Sequence, residues 1–496
     1  MDDKCETAIT TTGWGLCNYF LIVLCGMCTL AEAGASLTVP IIVPLLTCDL
    51  KLNKNTDLTL NAMLLIGMAA GGFVFGTLSD MNGRKGSIPV TMVVIFCASV
   101  GLSFAQTYFF INLSIFILGV GVAGSNAVLR VYLIECLPAK RRGSSLVIID
   151  LLWIIGYMSA LGISWSLVPS VVRMLGNEFR PSSWRVLAGL GGAPALIMAC
   201  ASSLLPPSPR YLLYRRHPEQ ALAVLQQIYA VNYSRHGNNY PPCELDGCIE
   251  TEEESEEHSR TMLNNFHRYF IVTIKRIMKI FKQPLRRITL LGLLTSLLLF
   301  PGFTWLALWD SHVLQETSKG LEMNPLKDDT SCVADSGILA SGFLKNCHQV
   351  NDARFKYFLL MSLSYILGEI FLVLGIDIVG RKLLTISSGL IGGTALLTFV
   401  FASRYVTRVV LSIFILASYA INYTSINIAI LENYPTSVRC TVIGVMRILP
   451  HVAGFFMRLY MKMSCLSTIY IMSGLIIGAT ITAIPIPDLT KLPMQE

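Results

Sequence analysis

The sequence has 496 residues, of which only 14% are Asp, Glu, Lys or Arg and 53% are hydrophobic. A soluble domain carries about 25% charge, and a water-soluble fold of this length cannot hide so much apolar side chain. Composition therefore excludes a soluble enzyme, a nucleic-acid-binding domain and a disordered chain, and the net charge of +7 is read as Lys and Arg gathered on one side of a membrane.

Residues 1–15 lack the basic stretch of a signal peptide, and the apolar run after them is too long for a signal-peptide core. It is expected to be an uncleaved first span. Apolar runs follow at about 16–46, 59–79, 87–106, 111–135, 145–169 and 185–205, each long enough to cross a bilayer. A polar stretch covers 206–286. Within it His217–Tyr229 has helical apolar spacing, and Glu250–Glu257 is a like-charge run expected to be a solvated linker. Six more runs lie at about 288–315, 356–376, 383–403, 406–431, 441–463 and 466–486. The organisation read from this is a short inner terminus (1–15), a six-helix bundle (16–205), a central loop with short helices (206–286), a second bundle (287–487) and an inner tail (488–496). With the N-terminus inside, the inner segments hold 22 of the 38 Lys and Arg residues. Cys332 and Cys347 share an outer loop and could pair in an oxidising compartment.

Two motifs occur twice. Asp80-x-x-Gly83-Arg84-Lys85 returns as Asp377-x-x-Gly380-Arg381-Lys382, and Glu135-x-x-Pro138-x-x-x-Arg142 returns as Glu432-x-x-Pro435-x-x-x-Arg439. Asp80 and Asp377 are 297 residues apart, as are Glu135 and Glu432. Two motifs at one offset imply a duplicated six-helix unit whose copies keep the same orientation. The glycines allow a tight turn with positive φ, and the arginines can bond carboxylates or helix ends. Glu135–Arg142 and Glu432–Arg439 are further candidate pairs. Together these residues are expected to form an inner latch that is intact in one state and broken in another.

Gly76-x-Leu78-x-Asp80-x-x-Gly83-Arg84-Lys85 resembles the hallmark loop of the major facilitator superfamily, with Met81 where a basic residue is usual. Pro206-Pro207-Ser208-Pro209-Arg210 resembles the Pro-Glu-Ser-Pro-Arg signature of sugar porters and organic-ion transporters, with Pro207 in place of the acid. Ser183-Trp184-Arg185-Val186, Arg286-Arg287-Ile288-Thr289 and Glu432-x-Tyr434-Pro435 look most like the synaptic vesicle glycoprotein 2 and related-protein branch, near the organic cation/anion transporters. The resemblance implies an all-α membrane protein with twelve transmembrane helices in two pseudo-symmetric six-helix bundles. The loop 316–355 is short where the vesicle glycoproteins carry a large luminal domain.

Ionisable groups inside a membrane are costly and mark a pathway. Glu32 lies in mid-span, at a place where the family shows an acid; its carboxylate could carry a proton, pair with a cation or bond a neighbouring helix. Arg447 looks like the basic residue that organic-anion-type relatives carry, and it would attract a carboxylate. His451, one turn on, either titrates or packs. Trp309, Trp165 and the positions of Tyr423 and Asn427 match pocket positions of the vesicle-glycoprotein pattern, with Tyr and Asn where those proteins carry Trp and Asp; Asp310 follows Trp309. Arg130, about 7.5 Å along its helix from Glu135, is expected in an inner-side ion pair, Asp150 could serve the same network, and Glu369 has no assigned role. No Walker A motif is present, and Cys243, Cys248 and His258 lack a second ligand pair, so neither ATP, a metal nor a cofactor is expected. The sequons at Asn232 and Asn422 fall in the inner loop and in a span. The expected function is a carrier of small organic ions working by alternating access, secondary-active or facilitative, with proton coupling as one option. It would act as a monomer in the plasma membrane or a vesicle membrane, with both termini cytoplasmic. The departures at Ala35, Met81, Pro207 and Asn427 leave a second reading, a membrane adaptor or trafficking protein of the same fold without transport.

Overall fold

A computed structural model describes residues 2–50, 54–174, 183–234, 240–241, 262–299, 344–345, 349–350, 352–402, 404–460 and 465–492. The protein is a helical membrane protein. A short helix α1 (Asp2–Thr11) precedes α2 (Leu16–Leu50), α3 (Lys54–Asn82), α4 (Arg84–Phe104), α5 (Tyr108–Cys136), α6 (Arg142–Met174) and α7 (Ser183–Ser202). The central loop supplies α8 (Pro209–Tyr214), α9 (Pro218–Tyr233) and α10 (Met262–Ile280). The second half contains α11 (286–299), α12 (Asp352–Val379), α13 (Arg381–Thr398), α14 (Tyr405–Glu432), α15 (Arg439–Tyr460) and α16 (Cys465–Ala483). Two-residue strands pair at Leu344–Lys345 and Gln349–Val350.

Among the described residues ten helices are long and apolar enough to cross a membrane. The two remaining expected runs correspond to α11, whose sequence continues into undescribed residues, and to α16 with its shorter apolar stretch Ile469–Ala483. Helices are the form in which a lipid-embedded backbone satisfies its own polar groups. Apolar side chains such as Ile197, Leu204, Leu374 and Val406 point outward, as a lipid solvent permits. One apolar cluster fills the first bundle and extends to Leu372, Ile376, Leu384, Ile428, Leu431 and Cys440 of the second half, and another lies mainly in the second bundle.

The halves meet where α3 crosses α15 and where α6 crosses α12. Small residues make the first crossing possible: a Cβ on Gly444 would stand 2.3 Å from the Gly72 carbonyl oxygen, and one on Gly76 would stand 2.6 Å from that of Cys440. The duplicated turns are superimposable in backbone terms, with φ/ψ of 100/149° at Gly83 and 98/154° at Gly380. That conformation is essentially open only to glycine.

The described residues of the central segment contain three helices, α8, α9 and α10, where the sequence reading locates one. The helix expected at His217–Tyr229 runs over Pro218–Tyr233. Neither α1 nor the separate helix α10 is foreseen. Against α8 and α9, α1 buries Cys5, Ala8 and Ile9.

Candidate functional site

Three layers of side chains link the two halves. The first lies at the end of the bundles that carries the central loop. Asp80 and Arg84 are one helical turn apart in sequence and pair at 3.1 Å, and Arg84 reaches Glu135 at 3.0 Å. All three are fully buried, and each also touches the other half. Asp80 accepts the backbone N–H of Cys440 and of Thr441 at 3.3 and 2.7 Å, and the Thr441 hydroxyl at 2.8 Å. Its carboxylate thus sits at the positive N-terminal end of α15. Arg84 donates to the Thr436 carbonyl at 2.6 Å, and Arg439 donates to Glu135 at 3.3 Å. The second copy repeats the pattern with the halves exchanged. Arg381 pairs with Asp377 at 3.1 Å and with Glu432 at 2.9 Å, and Asp377 accepts the N–H of Ser144 at the start of α6 at 2.8 Å. Gly143 gives that carboxylate room, since a Cβ there would lie 2.5 Å from it.

The within-half pairs expected from spacing, Glu135–Arg142 and Glu432–Arg439, are not the ones formed. Arg439 crosses to Glu135, while Arg142 donates to Glu6 of α1 at 2.9 Å. Glu6 also holds Arg210 and accepts the Ala139 N–H at 2.9 Å. The carboxylate missing at Pro207 is therefore supplied from far upstream. Spacing gives no hint of it, because Glu6 precedes the first span in an otherwise polar stretch. Ser208 caps α8 and donates to Glu135 at 2.6 Å. Tyr211 lies over the Gly83 turn and donates to the Met81 carbonyl at 2.8 Å; burial pushes its phenol above the ordinary value.

The second layer is a buried polar chain in the middle of the spans. Asn126 of α5 donates to Glu32 of α2 at 2.8 Å and accepts from Arg130, one turn along, at 2.7 Å. Arg130 in turn pairs with Asp150 of α6. A close α2–α6 crossing brings these helices together: a Cβ on Gly156 would stand 2.3 Å from the Leu30 carbonyl oxygen. From the second half, Glu369 of α12 accepts from Thr424 at 2.7 Å and lies within electrostatic reach of Asp150 and Arg130. Arg447 of α15 lies within reach of Arg130, Tyr423, Glu32 and Asp150. Its guanidinium makes no hydrogen bond or ion pair with any described residue. One carboxyl oxygen each of Glu32 and Glu369 is also buried without a described partner. Arg130 and Asp150, expected in the inner pair, thus belong to this chain, and Glu369 joins it. The missed link is Asn126, which along the sequence is an ordinary polar residue in a helix. His451 donates through Nδ1 to its own helix at Arg447, 2.6 Å away, and Asn427 is likewise satisfied by Tyr423 in its own helix at 2.9 Å.

The third layer is an aromatic seam toward the opposite end of α6. Trp165 of α6 stacks on Phe355 of α12 with centroids 6.4 Å apart, and Tyr157 meets Phe358 at 5.7 Å. Leu37 and Ile41 of α2 complete the cluster. Trp165 stands roughly 22 Å along α6 from Asp150, at 1.5 Å per residue, so it belongs to this seam and not to the polar chain. Trp309 and Asp310 lie outside the described residues, as do Cys332, Cys347, Cys243, Cys248 and His258.

A family model described as Sugar (and other) transporter matches residues 38–295. Synaptic vesicle glycoprotein 2B of Mus musculus is 27% identical over 234 residues, which are 47% of this chain and 34% of that protein. Organic cation/carnitine transporter 7 of Arabidopsis thaliana is 25% identical over 262 residues, 53% of this chain and 49% of that protein. The match thus spans half or less of these relatives' length. Among solved structures the fold is similar to that of the major facilitator superfamily proton:xylose symporter XylE, with a TM-score of 0.69 at 16% identity, covering 96% of this chain and 97% of the other.

Proposed function

The chain belongs to the sugar (and other) transporter family, and from that premise we propose that it carries small organic ions across a membrane by alternating access, with Arg447 as the binding centre. One observation carries the reading: a half-buried guanidinium in the polar layer without a hydrogen-bonded counter-ion among the described residues, within electrostatic reach of Glu32, whose carboxyl keeps one unsatisfied buried oxygen. An isolated charge in low dielectric is unfavourable until something pairs with it. A solute carboxylate would pair with Arg447 in a bidentate fork. Glu32 would then receive either a cationic group of the same solute or a proton. The names of the Arabidopsis relative and of the xylose symporter, which refer to small organic solutes and in one case to a proton, support this class of cargo.

The two flanking layers supply the alternation. The ion pairs of Asp80, Arg84, Glu135, Arg439, Asp377, Arg381 and Glu432, set by the turns at Gly83 and Gly380, act as the gate on the central-loop side, with Arg142 held beside them by Glu6. The α6–α12 aromatic seam acts as the gate on the other. With both closed, the polar chain is shut off from either face. The excess of Lys and Arg on the loop side supports a cytoplasmic central loop and cytoplasmic termini. Residues 16–205 and 287–487 would be the two units that rock, within a single chain.

The test is uptake of a panel of labelled organic anions, cations and zwitterions by proteoliposomes holding wild type, Arg447→Ala or Glu32→Gln. At least one solute should accumulate with wild type, fall to background with Arg447→Ala, and lose its response to a proton gradient with Glu32→Gln. Identical uptake in all three would remove these assignments. No accumulation of any solute would favour the adaptor reading.

A further inference from the structure

Over residues 271–280, whose side chains are described, α10 packs on the protein through one face. Ile280 and Arg276 are buried, and Lys279 donates to Ser437 at 3.4 Å, next to α15. The other face carries Ile271, Ile274, Met278 and Phe281, spaced i, i+3, i+7 and i+10, which is one stripe of a helix. These side chains are 40, 37, 49 and 38% exposed, so nothing described covers them. Lys275 and Lys282 are exposed along one margin of the stripe, and exposed Arg286 and Arg287 follow at the start of α11. No Asp or Glu occurs from 262 to 309.

The stripe is continuous with the lipid-facing surface. Leu290 and Leu294 of α11, one and two turns beyond Arg286, are also exposed and face where the acyl chains of a bilayer must be. A basic amphipathic helix at that level suits the boundary between headgroups and chains. A second copy of the same face would bring like charges together, so it is a poor occupant. We propose that α10 is an interfacial anchor that lays its apolar stripe into the bilayer and holds anionic phospholipid headgroups with Lys275, Lys282, Arg286 and Arg287, on the side of the membrane that carries the central loop. Each exposed basic residue near an anionic surface strengthens attachment by roughly fivefold at moderate ionic strength. Because α10 packs beside the start of α15, whose N-terminus Asp80 caps, anionic lipid would fix one wall of the gate.

The experiment is amide hydrogen exchange of the full chain in nanodiscs of phosphatidylcholine alone or with about a third phosphatidylserine. Residues 271–287 should exchange at least tenfold more slowly with phosphatidylserine, and high salt should reverse the difference. The combined variant Lys275→Gln, Lys282→Gln, Arg286→Gln and Arg287→Gln should abolish it while exchange in α4 and α5 stays as in wild type. Equal exchange of 271–287 in both discs would overturn the proposal. So would protection in phosphatidylcholine that disappears when Glu252, Glu253, Glu254, Glu256 and Glu257 are changed to Gln, which would make the chain's own acidic run the occupant. A second readout, independent of the charges, is Ile274→Trp. Brominated acyl chains should quench its fluorescence; an unquenched, water-exposed Trp would contradict the placement.

Discussion

Glu6 and Arg447 are charged side chains in contrasting settings, the first buried and the second half-buried. Glu6 is spent on structure: it pairs with both Arg142 and Arg210 and satisfies the Ala139 N–H. Removing one partner of such a group leaves a buried charge uncompensated, at roughly 3–5 kcal/mol. Glu6→Gln should therefore lower the thermal unfolding midpoint clearly and Glu6→Asp less so, as followed by light scattering and tryptophan fluorescence in detergent. An unchanged midpoint would mean that the three-residue cluster contributes nothing to stability. Arg447 has the opposite character, with no partner to lose among the described residues. Arg447→Ala should leave the unfolding midpoint unchanged or raised. For a carboxylate substrate it should raise KM roughly ten- to a hundredfold, the worth of a charge-assisted hydrogen bond. Arg447→Lys should recover only part, because an ammonium cannot form the bidentate fork. A stability loss without a KM effect would reassign Arg447 to structure. Sequence singled out Arg447 and Glu32 because a charge in an apolar run is conspicuous. It could not find Glu6 or Asn126, whose partners lie on other helices and whose surroundings look ordinary along the chain.

The elements that set the geometry are the duplicated turns and the crossing of α3 with α15. Because Gly83 and Gly380 adopt the same positive φ, Gly83→Ala and Gly380→Ala should each cost a similar roughly 1–3 kcal/mol of unfolding free energy, measurable by denaturant titration. A large inequality would mean that the two turns are not equivalent in the fold. Gly444 makes a different demand, since any side chain there meets the Gly72 carbonyl. Gly444→Val should wedge the halves apart on the central-loop side and expose Cys440, which is fully buried at the seam. Peptide-resolved maleimide labelling of Cys440 should speed up; an unchanged rate would contradict a crossing that controls the gate. The turns were legible in sequence because a glycine held at the same distance from Asp and Arg in both repeats marks a backbone conformation that both turns require. The crossing was not legible, because Gly72, Gly76 and Gly444 are three of 38 glycines and only packing shows which ones touch. Helix α10 was missed for a related reason: its apolar residues are interleaved with lysines and follow a like-charge run, so hydropathy alone reads the segment as loop.

For the whole molecule, an offset of 297 between paired motifs was enough to read two equivalent units, and the matching turn conformations and mirrored Asp-to-helix contacts accord with it. The offset could not say which partners exchange. The repeat makes Arg142 and Arg439 equivalent positions, so either is a candidate partner for Glu135, and only the assembled halves put Arg439 against it. In the proposed cycle that exchange lets the ion pairs serve as a gate, since contacts within a half would survive a rocking motion and contacts across halves would not. The central claim is that the two halves alternate between a state with these cross-half contacts made and one with them broken. It is tested most directly by the distance between spin labels at exposed Lys140 in the first half and exposed Lys382 in the second, measured by pulsed electron paramagnetic resonance in lipid. Wild type should show a short-distance population together with one several ångströms longer, and Asp80→Asn, which weakens the cap on α15, should move population to the longer distance. A single narrow distance, the same in wild type and Asp80→Asn, would contradict alternation.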